Sequence, residues 1–148
     1  MRFYLDTCSL NRPWDDQSQG RVHLEAEAVL FFVSEARPGR MDLVTSGYLL
    51  EEIQNIAEPQ RRADVAALTE AAASHVSVSA SISQRSKTFA AHNIRGYDAL
   101  HIAAAEAAGC HYFFTTDDRL LKRARPAGHH LKLQILNPAD WPPQTESP

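Results

Sequence analysis

Short apolar runs alternate with amphipathic segments along the chain. The runs at residues 2–5, 42–45, 75–80, 112–115 and 131–136 are typical of short buried strands. Segments with the apolar spacing or composition of helices lie at residues 21–36, 46–57, 59–74, 81–93, 98–108 and 120–125. Strands separated by helices predict an α/β fold whose parallel or mostly parallel sheet is covered by helices on both faces.

The predicted helix at residues 21–36 carries two apolar stripes. Val22, Ala26 and Val29 belong to one stripe, and Leu24 and Phe31 belong to a second stripe nearly opposite. Two apolar sides predict two packing partners, so we expect this helix to be central in the fold or to lie in a dimer interface.

Length and composition indicate one ordinary globular domain. The chain has 148 residues, 44% of them hydrophobic, and we expect a single domain over residues 1–137 and an irregular, Pro-rich tail over residues 138–148. The formal charge of −3 argues against nucleic-acid binding by bulk electrostatics, so a polyanion would need a local basic patch or metal ions. Two cysteines, no signal-peptide pattern and no apolar run of roughly 20 residues predict a cytoplasmic protein outside the membrane.

Acidic residues follow the predicted strands in a way that brings them together. Asp6 ends the first strand and Asp117 follows the strand at 112–115, so parallel strands would place both carboxylates at one edge of the sheet. Asp98 begins the helix before the second of these strands and can join them. Glu52, rather than Glu51, lies beside the apolar stripe of its helix and is therefore the inward glutamate.

Clustered carboxylates repel one another unless hard cations neutralise them, and Mg²⁺ or Mn²⁺ is the natural occupant of such a cluster. Ions of this kind lower the pKa of a bound water and stabilise the charge that develops on a phosphoryl group. The acids therefore predict metal-dependent hydrolysis of phosphodiester bonds with water as the nucleophile. Bound metal also removes the objection that the net charge raises against an anionic substrate.

Four motifs in a fixed order together resemble a PIN-domain nuclease. They are FYLDTCS at residues 3–9, the spacing from Ser46 to Glu52, YDALHIAAA at residues 97–105, and FTTDDRL at residues 114–120. The resemblance implies a three-layer α/β/α fold and Mg²⁺- or Mn²⁺-dependent cleavage of single-stranded or structured RNA. It also implies that the metal-site acids are the residues matching the family motifs, Asp6, Glu52, Asp98 and Asp117.

Among small PIN proteins, the chain is similar to the VapC-like toxins of VapBC-type toxin–antitoxin systems. This likeness implies a homodimer and an antitoxin protein as partner. The chain departs from the family pattern at two places: Cys8 replaces the usual Asn of the first motif, and Leu120 stands where many relatives carry a further acid.

Several residues near the acids have supporting roles in this interpretation. We expect Thr7, Ser46 and Thr115 to bond backbone groups at strand ends or to hold a metal-bound water. Asp118 either compensates for Leu120 or is only the N-terminal acid of the next helix. His101 is expected to be a hydrogen-bonded, partly buried histidine outside the catalytic set, and Cys8 a small buried residue.

Two other functions are compatible with parts of the pattern. A non-catalytic PIN-like module could bind RNA or a protein partner without cutting, although retention of all four acids disfavours it. A carboxylate-dependent phosphatase could use Asp6 as covalent nucleophile, but Cys8 stands where that chemistry needs a second Asp.

Overall fold

The computed structural model describes residues 1–143, which form five strands and seven α-helices joined by short 3₁₀ turns. The strands are β1 (Arg2–Leu5), β2 (Asp42–Ser46), β3 (Ser74–Val76), β4 (Tyr112–Phe114) and β5 (Gln134–Leu136). The helices are α1 (Thr7–Asn11), α2 (Gly20–Glu35), α3 (Gly47–Gln54), α4 (Pro59–Leu68), α5 (Ala80–Lys87), α6 (Gly96–Ala107) and α7 (Asp118–Ala124).

All five strands pair in parallel, in the order β3-β2-β1-β4-β5. The predicted parallel sheet is therefore confirmed. Strand order reverses between β1 and β4, because β1 leads to β2 on one side and pairs with β4 on the other. In open parallel sheets a crevice forms at such a reversal, beyond the carboxyl ends of the two strands. Asp6 and Asp117 follow these two strands.

Alternation along β1 sends neighbouring aromatic rings to opposite faces of the sheet. On one face, Phe32 of α2 packs against Phe3 and Phe114, with ring centroids 5.4 and 4.4 Å apart. On the other face, the ring of Tyr4 lies 5.6 Å from that of His101 in α6. Helices thus cover both faces, and the three-layer α/β/α arrangement is confirmed.

The outer stripe of α2 differs from the sequence prediction. Val22, Ala26 and Val29 are buried together with Phe32, but Leu24 is 64% exposed and Phe31 48% exposed. Among the described residues the helix has a single packing side, against one face of the sheet, so the alternative of a central helix was wrong and that of a dimer interface stays a prediction.

The two edge strands, β3 and β5, are shorter than the apolar runs that predicted them. β5 comprises only Gln134–Leu136, because each of its residues pairs with one of the three residues of β4. β3 likewise ends at Val76, where its pairing with Ser46 of β2 ends. Strand length is thus set by the neighbouring strand rather than by local hydrophobicity.

Part of the predicted tail packs on the domain. Asn137 and Pro138 are buried, Pro138–Asp140 form a 3₁₀ turn, and the Trp141 ring lies 5.4 Å from Phe32. The remainder, residues 144–148, lies outside the described residues. Division of the chain at residue 137 stays a prediction. Within residues 1–143, no helix has the length and apolar character needed to cross a bilayer.

Candidate active site

Asp6 lies at the end of the central strand and begins α1. Its carboxylate accepts the Ser9 backbone N–H at 2.9 Å, as the N-cap of that helix. The side chain is 3% exposed. Burial raises the pKa of Asp6 to about 6, against the opposing effect of hydrogen bonds from Thr115 and Ser9.

Asp117 occupies the equivalent position after β4 and begins α7. Its carboxylate accepts the Arg119 backbone N–H at 2.9 Å. Its own N–H donates to Thr115 Oγ1 at 3.1 Å, and Thr115 is fully buried and hydrogen-bonded to Asp6. The Thr115 hydroxyl thus contacts Asp117 and also acts to lower the pKa of Asp6, and its supporting role stays a prediction.

Asp98 lies in the first turn of α6 and is half-buried. Its pKa is raised by burial first and then by repulsion from Asp117 and Glu52, while His101 and Arg123 act in the opposite direction. The carboxylate of Asp98 is thus close enough to two of the other acids to feel their charge.

Glu52 faces the site because of the register of α3. Leu49 and Ile53 are buried, Glu52 is half-buried, and Glu51 is exposed and accepts a hydrogen bond from Tyr97 at 2.9 Å. The inward placement of Glu52 is the one that the apolar stripe predicted.

Two side chains donate hydrogen bonds to Glu52 Oε1. His101 Nε2 lies 3.0 Å from this oxygen, and the Thr7 hydroxyl also donates to it. Burial alone would raise the pKa of Glu52, but the bonds from His101 and Thr7 outweigh it and hold that pKa below its usual value. Glu52 is therefore kept ionised.

Cys8 of α1 lies near all four acids. The thiol of Cys8 is partly covered by its neighbours although the residue as a whole is exposed. This partial burial, together with the charges of Asp6, Asp117, Asp98 and Glu52, raises the pKa of the thiol to about 12. The sequence prediction of a buried Cys8 was wrong: Ser9 and Leu10 are the buried residues of α1, and Cys8 is exposed. It lines a groove of about 560 Å³ whose walls include Thr7, Asn11, Glu52, Asn55 and Asp117.

The remaining predicted supporting residues have different surroundings. Ser46 is fully buried and caps α3 by accepting the Leu49 N–H at 3.1 Å. Asp118 is exposed, and its two carboxylate oxygens each accept a bond of 2.6 Å from Arg21. The carboxylate of Asp118 is thus bound by a surface arginine. Leu120, at the position where many relatives carry a further acid, is a buried apolar residue.

The sequence prediction placed His101 outside the catalytic set, but in the structure His101 contacts Glu52, one of the four acids, directly. The prediction of a hydrogen-bonded histidine is confirmed, but the side chain is only 1% exposed rather than partly buried. Its position three residues after Asp98, on the same helix face, was the available indication. The contact between His101 and Glu52 joins residues 49 positions apart, so the spacing of nearby residues could not predict it.

Carboxylate oxygens are the donors that hard divalent cations prefer. Glu52 and Asp117 line one groove, and burial followed by the charges of Asp117 and Glu52 raises the pKa of Asp98, so the donor set fits such an ion. Within residues 1–143, however, no three His, Cys, Asp or Glu side chains already converge in a metal-holding geometry.

The PIN-domain family model matches residues 3–126. The chain belongs to the PIN-domain family, whose nucleases generally use divalent metal ions. No curated protein matches the chain by sequence.

Solved structures with the same fold include toxin–antitoxin proteins. A chain of Rickettsia felis VapBC2, solved with a promoter DNA fragment, is 12% identical with a TM-score of 0.56, covering 93% of this chain and 98% of that one. A chain of VapBC-1 from nontypeable Haemophilus influenzae is 17% identical with a TM-score of 0.55 and the same two coverages. Mycobacterium tuberculosis VapC20, a sarcin–ricin loop cleaving toxin, is 15% identical with a TM-score of 0.53, covering 81% of this chain and 93% of its own. At these identities the likeness establishes the fold.

Proposed function

We propose that this protein is a Mg²⁺- or Mn²⁺-dependent endoribonuclease and the toxin of a toxin–antitoxin pair. The observation that carries the proposal is the placement of four carboxylates at one edge of the sheet. Asp6 and Asp117 follow the paired strands β1 and β4, Glu52 and Asp117 line the same groove, and Asp98 lies one turn before His101, which contacts Glu52. A nuclease needs such a concentration of oxygen donors, whereas a module that only binds RNA gains nothing from negative charge facing the phosphate backbone.

In this proposal Asp6, Glu52, Asp98 and Asp117 hold the metal. A bound divalent ion supplies a water of lowered pKa and positive charge beside the phosphoryl group that is attacked. Glu52, ionised and fixed by two donors, contributes charge and orientation rather than a proton. Thr7, Ser46 and Thr115 hold the acids or their elements in place through their hydroxyl groups.

Membership of the PIN family supports nuclease chemistry, and the similar VapBC and VapC20 structures support the toxin assignment. We therefore propose RNA as substrate, an antitoxin protein as partner and the cytoplasm as the place of action. Homodimer formation belongs to the same proposal, and the exposed Leu24 and Phe31 on α2 are its candidate contact residues.

Cleavage of a labelled single-stranded RNA by the purified protein tests the proposal. We expect cleavage with Mn²⁺ or Mg²⁺, its loss in EDTA, and its recovery on adding excess metal. Glu52→Gln removes the charge at the site and should lower kcat by about 100-fold or more if the metal supplies most of the catalysis. Glu51→Gln is the matched control, because Glu51 is exposed on the same helix, and its activity should equal that of the wild type.

Two results would contradict the nuclease assignment. Cleavage that is indifferent to EDTA would exclude the metal mechanism. RNA binding without any cleavage, at all metal concentrations, would favour the non-catalytic PIN-like module instead.

A further inference from the structure

A row of buried polar side chains leads from the sheet to Glu52. Ser46 Oγ lies 2.7 Å from the Tyr4 hydroxyl, which lies 2.7 Å from His101 Nδ1. His101 Nε2 then lies 3.0 Å from Glu52 Oε1. Ser46, Tyr4 and His101 are all buried, so each group in this row depends on its neighbours for hydrogen bonds.

The row has a consistent direction when His101 is neutral. An ionised carboxylate only accepts, so His101 Nε2 carries the hydrogen and Nδ1 accepts. The Tyr4 hydroxyl must then donate to Nδ1, and Ser46 Oγ–H donates to the Tyr4 oxygen. Ser46 Oγ in turn accepts the Leu49 backbone N–H at 3.1 Å. Each shared hydrogen thus has one donor and one acceptor, and the tautomer and ring orientation of His101 are set by Tyr4.

The row also connects the helices that carry two of the acids. His101 lies on α6, one turn after Asp98, and its bond to Glu52 reaches α3. Tyr4 lies on the same strand as the position leading into Asp6, two residues before it. The position of Glu52 relative to the other acids therefore depends on His101, which is itself held by Tyr4 of the central strand.

We propose that His101 is a positioning residue, oriented by Tyr4 and Ser46, that holds the Glu52 carboxylate for metal binding. This inference rests on the proposed function, since it assigns a role within the same site. Outer partners of this kind typically change metal affinity or activity by about 10–100-fold when they are removed.

A second contact between the same two helices provides a matched control. The Tyr97 hydroxyl of α6 donates to Glu51 of α3 at 2.9 Å, on the exposed side of the helix pair. Tyr97→Phe removes a tyrosine hydroxyl between α6 and α3, as Tyr4→Phe removes one behind His101. Only Tyr4→Phe affects the row that ends on Glu52.

The experiment uses the full chain and measures Mn²⁺ binding by titration calorimetry without RNA, with kcat and KM for RNA cleavage as a second readout. We expect Tyr4→Phe to weaken Mn²⁺ binding and lower kcat, each by about tenfold, with KM for RNA within about twofold. Tyr97→Phe should match the wild type in both. His101→Gln, which keeps a donor and an acceptor, should retain more Mn²⁺ affinity than His101→Ala.

Melting curves separate positioning from simple stabilisation. If Tyr4→Phe fails to fold, the pair His101→Gln and His101→Ala still decides the question. Equal Mn²⁺ affinity in all folded variants and the wild type, even with lowered melting temperatures, overturns the positioning role while leaving the nuclease assignment intact. Absence of both Mn²⁺ binding and RNA cleavage in the wild type overturns the proposed function, and this inference with it.

Discussion

Two buried carboxylates in this protein are compensated in opposite ways. Glu25 on α2 is 1% exposed and accepts bonds from Arg12 at 2.9 Å and Arg21 at 3.3 Å, and from the amide of Asn137. Asp6 is 3% exposed and accepts the backbone N–H of Ser9, and within residues 1–143 it forms no ion pair with Lys or Arg. The protein thus surrounds one acid with cations and leaves the other without them.

We interpret the difference as one between a structural carboxylate, Glu25, and a carboxylate that the proposed function assigns to metal binding, Asp6. A buried charge is costly unless it is paired, and Glu25 meets that requirement within the chain. Within residues 1–143, no Lys or Arg forms an ion pair with Asp6, Glu52, Asp98 or Asp117. In the proposed function a bound divalent cation would supply that positive charge, in addition to the bond that Glu52 accepts from His101.

Arg12, which binds Glu25, also belongs to a second ion pair closer to the surface. Arg12 bonds Asp15 at 3.1 Å, and Arg61 of α4 bonds the same carboxylate at 3.1 Å. Glu25 therefore anchors a network that joins α2, the segment after α1 and α4, while Asn137 brings in the chain after β5. We expect its loss to act on stability rather than on metal binding.

Removing the paired acid should have the largest effect on stability. Glu25→Ala leaves the Asn137 amide without its acceptor and removes one of two carboxylate partners from each of Arg12 and Arg21. The loss of three hydrogen bonds to a buried charged group should cost about 3–5 kcal/mol. Thermal unfolding in EDTA measures it, with exposed Glu27→Ala on the same helix as control. A melting temperature within error of the wild type would contradict the structural role of Glu25.

Neutralising Asp6 should have the opposite sign. Asp6→Asn keeps a good N-cap residue and removes a charge whose pKa is raised from 3.8 to about 6. The raised pKa corresponds to at most about 3 kcal/mol at pH 7, by which the variant without metal should be more stable than the wild type.

The pH dependence of that difference is fixed by the same pKa. Below pH 3.8 the carboxyl of Asp6 is protonated whether the chain is folded or unfolded, so folding carries no cost of ionisation. Between pH 3.8 and about 6 the unfolded chain ionises Asp6 while the folded chain keeps it protonated, so the stability of the folded chain falls. Once the pH has passed about 6, the folded chain has ionised the buried group and the loss is complete. The free energies of unfolding of the wild type and Asp6→Asn, measured from about pH 3.5 to about pH 8, should therefore be equal at low pH and diverge as the pH rises. A variant less stable than the wild type at pH 7 would show that Asp6 is chiefly a structural cap.

The smallest effect is expected at the exposed pair of Arg21 and Asp118. Both side chains are more than half exposed, and exposed ion pairs contribute little to stability. Asp118→Asn should therefore leave the melting temperature and the Mn²⁺ affinity within error of the wild type. Weaker Mn²⁺ binding in this variant would restore Asp118 to the supporting role that its position after Asp117 suggested.

The sequence by itself determined the parallel fold and the strand ends at which Asp6 and Asp117 lie. Parallel strands end at a common edge, so the positions of Asp6 and Asp117 after apolar runs were sufficient to predict their convergence. The period of Leu49 and Ile53 was sufficient to distinguish Glu52 from Glu51. These inferences succeed because they rest on local periodicity and on the geometry of regular elements.

Only the tertiary structure decided how those acids are supported. The hydrogen bond between Tyr4 and His101 joins residues 97 positions apart, and the bond between Asn137 and Glu25 joins residues 112 positions apart. Hydrogen-bond partners at such separations depend on how strands and helices are stacked, which local spacing does not encode. The same reason explains why Cys8 faces the groove: the exposed side of a five-residue helix is set by what packs beneath it.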